Sequence, residues 1–291
     1  MMVDINNTFS DLTARDVKRL SGARQGVFAT KVLLWAGALA LATVLLLTGG
    51  TWVLLGALLA GLFFAHGNEL QHQALHGVGF PSRGLNRAVG FLLGLPMLVS
   101  YSHYRDRHLH HHRYVGTEKD NEFFDASARL TLSHMLMLRH YASSLSDMAR
   151  AWRAPEAIEI MAERNRSDVV AEYRVMSVLL PTYLSLAIVN GLWPLLIAHA
   201  VASIAKVLIE YPEHKDCGED PDIYRNTRSI RSNGFMTWYT NGNNFHVEHH
   251  LYPHVTPEKL HLIHDRIAER IVYTNDGYID FIRQQFARRR R

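Results

Sequence analysis

Two pairs of long apolar runs interrupt an otherwise polar chain. Val32 to Leu47 is an uncharged stretch of mainly Leu, Ala and Val, broken by Thr48-Gly49-Gly50 and followed by a second run from Thr51 to Ala65. A second pair runs from Val175 to Val189, turns at Asn190-Gly191 and resumes from Leu192 to Ala205, just ahead of Lys206. Each run falls a little short of the roughly 20 residues that cross a bilayer as a helix, so flanking turns or snorkelling side chains must complete it. Four crossings in two hairpins are predicted. The competing arrangement, four buried helices of a soluble protein, fits less well because paired runs this apolar exceed ordinary amphipathic patterning.

The polar segments between the runs carry weaker periodicities. Residues 1–30 read as a polar arm with a short helix, for which Asp11, Thr13 and Asp16 are candidate caps. The second crossing is expected to continue outward through Ala65-His66-Gly67-Asn68-Glu69-Leu70-Gln71-His72, until Pro81-Ser82-Arg83-Gly84 breaks the helix. Arg87 to Ser100 is an apolar run interrupted by Pro96, too short to span and expected to lie buried at the interface. Tyr101 to Tyr114 is predicted helical. So are Leu130 to Tyr141 and Leu145 to Glu163, with Leu and Met at three- and four-residue steps. Met135 and Met137 are expected to pack, with a lip over a substrate entrance as the alternative. The expected fold is therefore one all-α integral membrane domain over 1–291. It divides into a polar arm (1–30), a first hairpin (31–65), cytoplasmic and interfacial helices (66–173), a second hairpin (174–209) and a cytoplasmic segment (210–291).

Charge orients this arrangement. The two hairpin turns are uncharged, whereas Arg15, Lys18, Arg19, Arg24 and Lys31 precede the first crossing and Arg288 to Arg291 close the chain. Lys and Arg favour the cytoplasmic side, so both termini and the long central segment are expected there. The polar residues ahead of the first run, about thirty of them, argue against a cleaved signal peptide. A single cysteine, Cys217, excludes an intramolecular disulfide and any CxxC metal site. The net charge of +4 suits positive-inside residues, anionic headgroups or an acidic redox partner. No basic stripe interleaved with aromatics points to nucleic acid.

The chemistry lies in the histidines. Eight of the 18 fall into three groups: His72 and His76; His108, His111 and His112; His246, His249 and His250. Residues three or four apart share a helix face, so each group is expected to present its rings as one convergent cluster, and three clusters make a multi-metal cage. Glu69, Asp106, Asp120, Glu213 and Glu248 are candidates to hydrogen-bond the distal ring nitrogens. His66, His103, His110 and His254 lie off the repeat and read as surface or supporting residues. His199, inside the fourth run, marks a cavity or a packing contact.

Two HxxHH sets, His108 to His112 and His246 to His250, in one membrane chain resemble the membrane-bound fatty acid desaturase and hydroxylase superfamily. The match is close at Asn244-Phe-His246-Val-Glu-His249-His250-Leu-Tyr-Pro253, which is similar to the acyl-lipid desaturase form. His108 to Asp120 is similar to the second box with its downstream acid. The resemblance covers about Val32 to His264. It implies a di-iron site held almost wholly by imidazoles, with His214 as the further histidine after the fourth crossing, nine ligands in all. Two positions depart from the pattern. Asn68 stands where the first box more often opens with His, which leaves His72 to pair with Asn68 or His76. Glu210 stands where relatives carry an Asn near one metal. Asn68, Glu69, Asp120, Glu210 and Asn244 are thus the candidate supporting residues or extra ligands.

Zinc sites usually close at four ligands, so nine imidazoles suit two metals with an open face better than one zinc. Imidazole also suits copper and nickel, so iron is implied by the resemblance alone. The function implied is an O2-dependent desaturase that makes a double bond in a fatty acyl or lipid-like chain by sequential hydrogen abstraction. The nearest alternative is a di-iron hydroxylase of an acyl, alkane or terpenoid substrate, and a membrane zinc hydrolase is the alternative of another class. No redox domain is visible, so electrons must come from an external donor; ferredoxin, rubredoxin and cytochrome b5 stand equal.

Overall fold

A computed structural model describes residues 12–120, 130–189 and 191–288. Within them the chain is mostly helical. Thr13 caps α1 (Ala14–Leu20) in a reciprocal box with Asp16, as the sequence allows; Asp11 lies outside the described residues. The first apolar pair forms α2 (Gln25–Thr48) and α3 (Trp52–Leu75), joined through Gly49 and Gly50 at φ 82° and 59°, a left-handed conformation that glycine adopts without a Cβ clash. As expected, α3 does not stop where its apolar run ends. It continues to Leu75, carrying His66, Asn68, Glu69 and His72, and His76 forms its C-cap.

Next come α4 (Arg83–Gly94), a short 3-10 turn at Leu95–Met97 beginning at the predicted Pro96 interruption, and α5 (Tyr101–Tyr114) with the second histidine box. The following stretch departs from the predicted pattern. A single turn, α6 (Leu132–Met135), precedes α7 (Leu138–Arg153), with Met137 at φ 51° between them, so the break falls before Leu138 and not at residues 142–144. The helix expected to reach Glu163 stops at Arg153, because Pro155 drives the residue before it out of the helical region. The third apolar run lies within α8 (Arg166–Val189), and the fourth within α9 (Trp193–His214). Asn190 of the turn between them lies outside the described residues.

Three helices, α2, α3 and α9, are long and apolar enough to cross a membrane. The apolar part of α8 begins only at Val175, and those last turns extend about 22 Å at 1.5 Å per residue, short of a ~30 Å hydrocarbon layer. α3 is the hub, packing on α2, α4 and α9. Small residues allow the close approach. A Cβ on Gly56 would sit 2.8 Å from the Ala42 carbonyl of α2, and one on Gly61 would sit 2.5 Å from the Ala198 carbonyl of α9. α8 is held by side chains. Val169, Val170, Tyr173 and Met176 pack against Met148 and Ala151 of α7, and the buried Glu172 carboxylate accepts from Ser100, Ser102 and Arg87.

After α9 come α10 (Ile223–Asn226), β1 (Arg228–Ile230), α11 (Gly234–Tyr239), α12 (His246–Leu251), α13 (Leu260–Ile267), β2 (Tyr273–Asn275) and α14 (Tyr278–Arg288). The all-α expectation thus misses one small element, a parallel pair in which Arg228, Ser229 and Ile230 face Tyr273, Thr274 and Asn275. Its signal is three residues long, below what periodicity resolves. It matters for what it holds. The Arg228 guanidinium donates to the carbonyls of Pro212 and Lys215 at the end of α9, while the Ser229 hydroxyl accepts from the backbone N–H of Val247 in α12.

Candidate metal centre

Four helices bring nine histidines to one place: α3 with the His76 that caps it, α5, the last residue of α9, and α12. Their ring nitrogens form two groups. Five belong to His72, His76, His108, His112 and His249, and four belong to His111, His214, His246 and His250; within each group the nitrogens lie within 4.8 Å of one another. The sequence expectation that each box forms one cluster is corrected here. His108 and His112 enter the larger group and His111 the smaller, whereas His246 and His250 enter the smaller and His249 the larger. Helical geometry requires the split. Residues four apart lie about 40° apart around the axis, but adjacent residues such as His111 and His112 diverge by about 100°, so one box serves two centres.

The closest approaches are short. The Nε2 atom of His108 lies 2.8 Å from that of His72, 3.0 Å from His76 and 2.9 Å from His112. In the other group His250 Nε2 lies 3.1 Å from His246 Nε2 and 3.3 Å from His111 Nε2. Two nitrogens bound to one ion at about 2.1 Å, at angles of about 90 to 109°, stand roughly 3.0 to 3.4 Å apart. The observed spacings, 2.8 to 3.3 Å, lie within about 0.2 Å of the edges of such a shell, so the donor set fits one cation per group.

Burial, reinforced by the neighbouring imidazoles, holds His76, His112, His246 and His250 well below the ordinary histidine range. These rings are therefore neutral near pH 7 and present lone pairs, as ligation demands. Distal nitrogens are oriented from behind. His111 Nδ1 donates to both carboxylate oxygens of Asp120 at 3.0 Å, His214 Nδ1 to the Asn226 carbonyl at 3.1 Å, and His246 Nδ1 to Asn243 Oδ1 at 3.2 Å.

The other sequence candidates fall variously. His72 converges with His76 and not with Asn68, whose side-chain atoms are buried without a hydrogen-bond partner among the described residues. Glu213 stands 3.3 Å from His246 Nε2, and Glu210 pairs with Lys206 one turn along α9. Glu69 is buried in α3, and its carboxylate bonds none of the nine rings among the described residues. Asp106 is corrected: it accepts from the backbone of Met161 and Ala162 and from Asn165, capping a loop. Glu248 is also corrected, since it binds Ser229 and, at 2.6 Å, His264. Asn244 bonds Ile230 and Thr240, so its role is to shape the turn before α12.

Among the off-repeat histidines, His66 donates to the Tyr239 carbonyl and His103 sits between Tyr173 and the Glu159 carbonyl. His110 reaches the Lys119 carbonyl, and His199 contacts Tyr141. His254 is exposed. Asn243, Asn226 and His264 escaped the sequence expectation; Asn243 alone had a signal, three residues before a ligand-spaced histidine.

A cavity of about 750 Å3 opens onto both groups, touching His72 and His108 of the larger and His111, His214 and His246 of the smaller. Leu98, Val99, Val115 and Met137 supply apolar wall, so Met137 lines the space as well as packing.

The chain matches the fatty acid desaturase family over residues 49–281. No match to an individual curated protein accompanies it. The match contains all nine convergent histidines, and the chain belongs to this family of membrane desaturases and hydroxylases.

Proposed function

We propose that the protein is an O2-dependent, membrane-embedded desaturase that introduces a double bond into a fatty acyl or lipid-like chain. His72, His76, His108, His112 and His249 hold one iron, and His111, His214, His246 and His250 hold the other. The observation that carries this is the convergence of nine imidazoles in two adjacent groups inside the family match. The five nitrogens of the larger group exceed the four ligands of a structural zinc, and nine in adjacent groups exceed what one zinc takes.

When bound, two irons supply O2 activation and the oxidising power to remove two hydrogens from an unactivated chain. The protein's own residues do the rest. Neutral imidazoles leave the positive charge of the ions largely uncancelled. Asp120, Asn226 and Asn243 fix ring tautomers and angles, so little reorganisation remains at the moment of reaction. Leu98, Val99, Val115 and Met137 offer an alkyl segment an apolar strip of wall beside the rings, in a cavity of ligand-binding size whose remaining lining includes Arg107, Asp147 and Lys206. Hydroxylation is the second reading. Glu210, paired with Lys206 on the cavity wall, keeps it open, since polar groups there bear on how a chain lies against the centre.

The same reading makes residues 1–291 one domain, with α8 joining α2, α3 and α9 as a fourth crossing. Its exposed Val175, Val178, Leu179, Leu184 and Ile188 support this. The basic residues before α2 support a cytoplasmic face for both termini and the ring layer. An external donor of ferredoxin, rubredoxin or cytochrome b5 type supplies electrons. Expression with iron and oxygen, followed by metal analysis and acyl mass spectrometry, tests the proposal. Loss of two hydrogens supports desaturation and gain of one oxygen supports hydroxylation. Zinc with oxygen-independent hydrolysis overturns both.

A further inference from the structure

Lys31 counts among the basic residues that orient the chain, and a lysine near the end of an apolar helix ordinarily snorkels toward the headgroups. In α2 it turns inward instead, and its side chain is only 12% exposed. Its three ammonium protons meet acceptors on three separate stretches: Gln73 Oε1 of α3 at 3.3 Å, Asn241 Oδ1 in the turn before α12, and the Glu258 carboxylate in the loop after it. The amides close the network. Asn241 Nδ2 donates to Gln73 Oε1 and to the Glu69 carbonyl, both at 3.1 Å, and Gln73 Nε2 donates to the Val78 carbonyl at 3.3 Å. Burying an ion pair carries a desolvation cost that its own attraction offsets only in good geometry, so the pair argues less for stability than for a fixed register between the segments it joins.

Those segments carry rings of the larger group. Gln73 stands between His72 and His76 on α3, and Asn241 and Glu258 flank the box that contains His249. The two flanks touch: Gly242 has φ 77°, and a Cβ there would sit 2.5 Å from the Pro257 carbonyl. A space of about 10 Å3 is lined by Gln73, Asn241 and Pro257 together with His72, His76 and His249, with room for no more than one water. Every ring that lines it belongs to the larger group, so a shift of either flank reaches those rings first. We infer that Lys31 is a positioning residue of the larger group: through its ammonium the first membrane helix, which supplies no ligand, sets the spacing between His72 and His76 on one side and His249 on the other. This rests on the two-ion reading above and adds to it a dependence of one centre on α2.

The test compares purified full-length wild type, Lys31→Met and the double variant Lys31→Met/Glu258→Gln, all loaded with 57Fe, by chelator competition and Mössbauer spectroscopy. His108→Ala supplies the signal of the smaller group alone. In Lys31→Met that signal should be unchanged, while the other shifts and its iron yields to chelator at roughly 10-fold lower concentration. The double variant leaves no buried carboxylate without its cation, so the same one-sided change there supports lost positioning over a stranded charge. If Lys31→Met fails to fold, the double variant decides. Signals and retention like those of wild type in the double variant overturn the inference, as do two irons weakened alike or a change confined to the smaller group. Wild type that takes up no transition metal overturns the two-ion reading itself, and this inference with it.

Discussion

The two ring groups use the same side chain and share two helices, α5 and α12, yet they are not equivalent. The larger draws its remaining pair from α3, which is embedded against α2, α4 and α9. The smaller takes its remaining ring from the end of α9 and has two carboxylates at hand, Asp120 behind His111 and Glu213 beside His246. Three of its four rings also border the cavity. A pair of centres built from reciprocal boxes is thus made unequal by what surrounds it.

The strongest way to break the comparison is to remove a ring from each side. His108 Nε2 lies within 3.0 Å of three other ring nitrogens, so His108→Ala should abolish turnover and release metal from the larger group while the smaller keeps its own. His250→Ala should do the converse. Metal analysis of the two variants checks this, and complete metal loss in both would mean the groups form one inseparable site.

Next in size is Asp120→Asn, which keeps a hydrogen-bonding amide but loses the charge behind His111. A drop of roughly 10- to 100-fold in metal affinity or activity is expected, confined to the smaller group, and competition with a chelator measures it. Unchanged retention would show that the tautomer is set by packing alone.

Helix spacing offers a finer probe. α3 feeds only the larger group and α9 only the smaller, and they touch at Gly61, where an added Cβ would meet the Ala198 carbonyl at 2.5 Å. Gly61→Ala should cost about 1 to 3 kcal/mol of stability through overpacking. Thermal unfolding in detergent would detect it.

A change of pH probes both groups at once. His76 and His112 of the larger group and His246 and His250 of the smaller all have lowered values, through burial and then neighbouring rings. The unfolded chain therefore binds protons before the folded one does. Metal-free protein should be at full stability above about pH 6.5 and lose up to about 1.4 kcal/mol per group per pH unit below it, until the folded values are reached. Melting curves of chelated protein at two pH values test the sign. A flat profile would mean that these rings are not buried neutral.

The apolar patterning was legible for a physical reason that also limited it. α2 and α3 have 24 residues each, and both were anticipated from hydropathy. In α2 only 6% of the most apolar window is buried, against 61% in α3. Hydropathy measures how willingly a segment leaves water and says nothing of whether lipid or protein receives it. Gly56, Gly61 and Gly67 mark α3 as the packed helix, because a side chain at each would collide with a neighbouring element.

The candidate site was legible to a similar depth. Asp120 was found because it lies nine residues from its partner His111, on the turn that follows α5. Asp106 and Glu248 were misassigned for one shared reason. Each lies two residues from a converging histidine, which on a helix is about 200° around the axis, so each carboxylate points away from the rings toward another element. Asn243 and Asn244 differ by one position and by role, since the turn before α12 sends one amide to His246 and the other to Ile230.

Spacing along the chain alone determined that imidazoles would stand in ligand-like pairs at i and i+4, because the helical repeat is a local property of the backbone. It determined too that long apolar segments would flank them. The allotment of rings into groups of five and four, the group that His214 joins, and the placing of Asp120 and Glu213 beside only one group were decided in the tertiary structure. Those outcomes depend on which faces of four separate helices meet, and such meetings are fixed by packing at contacts far apart in sequence.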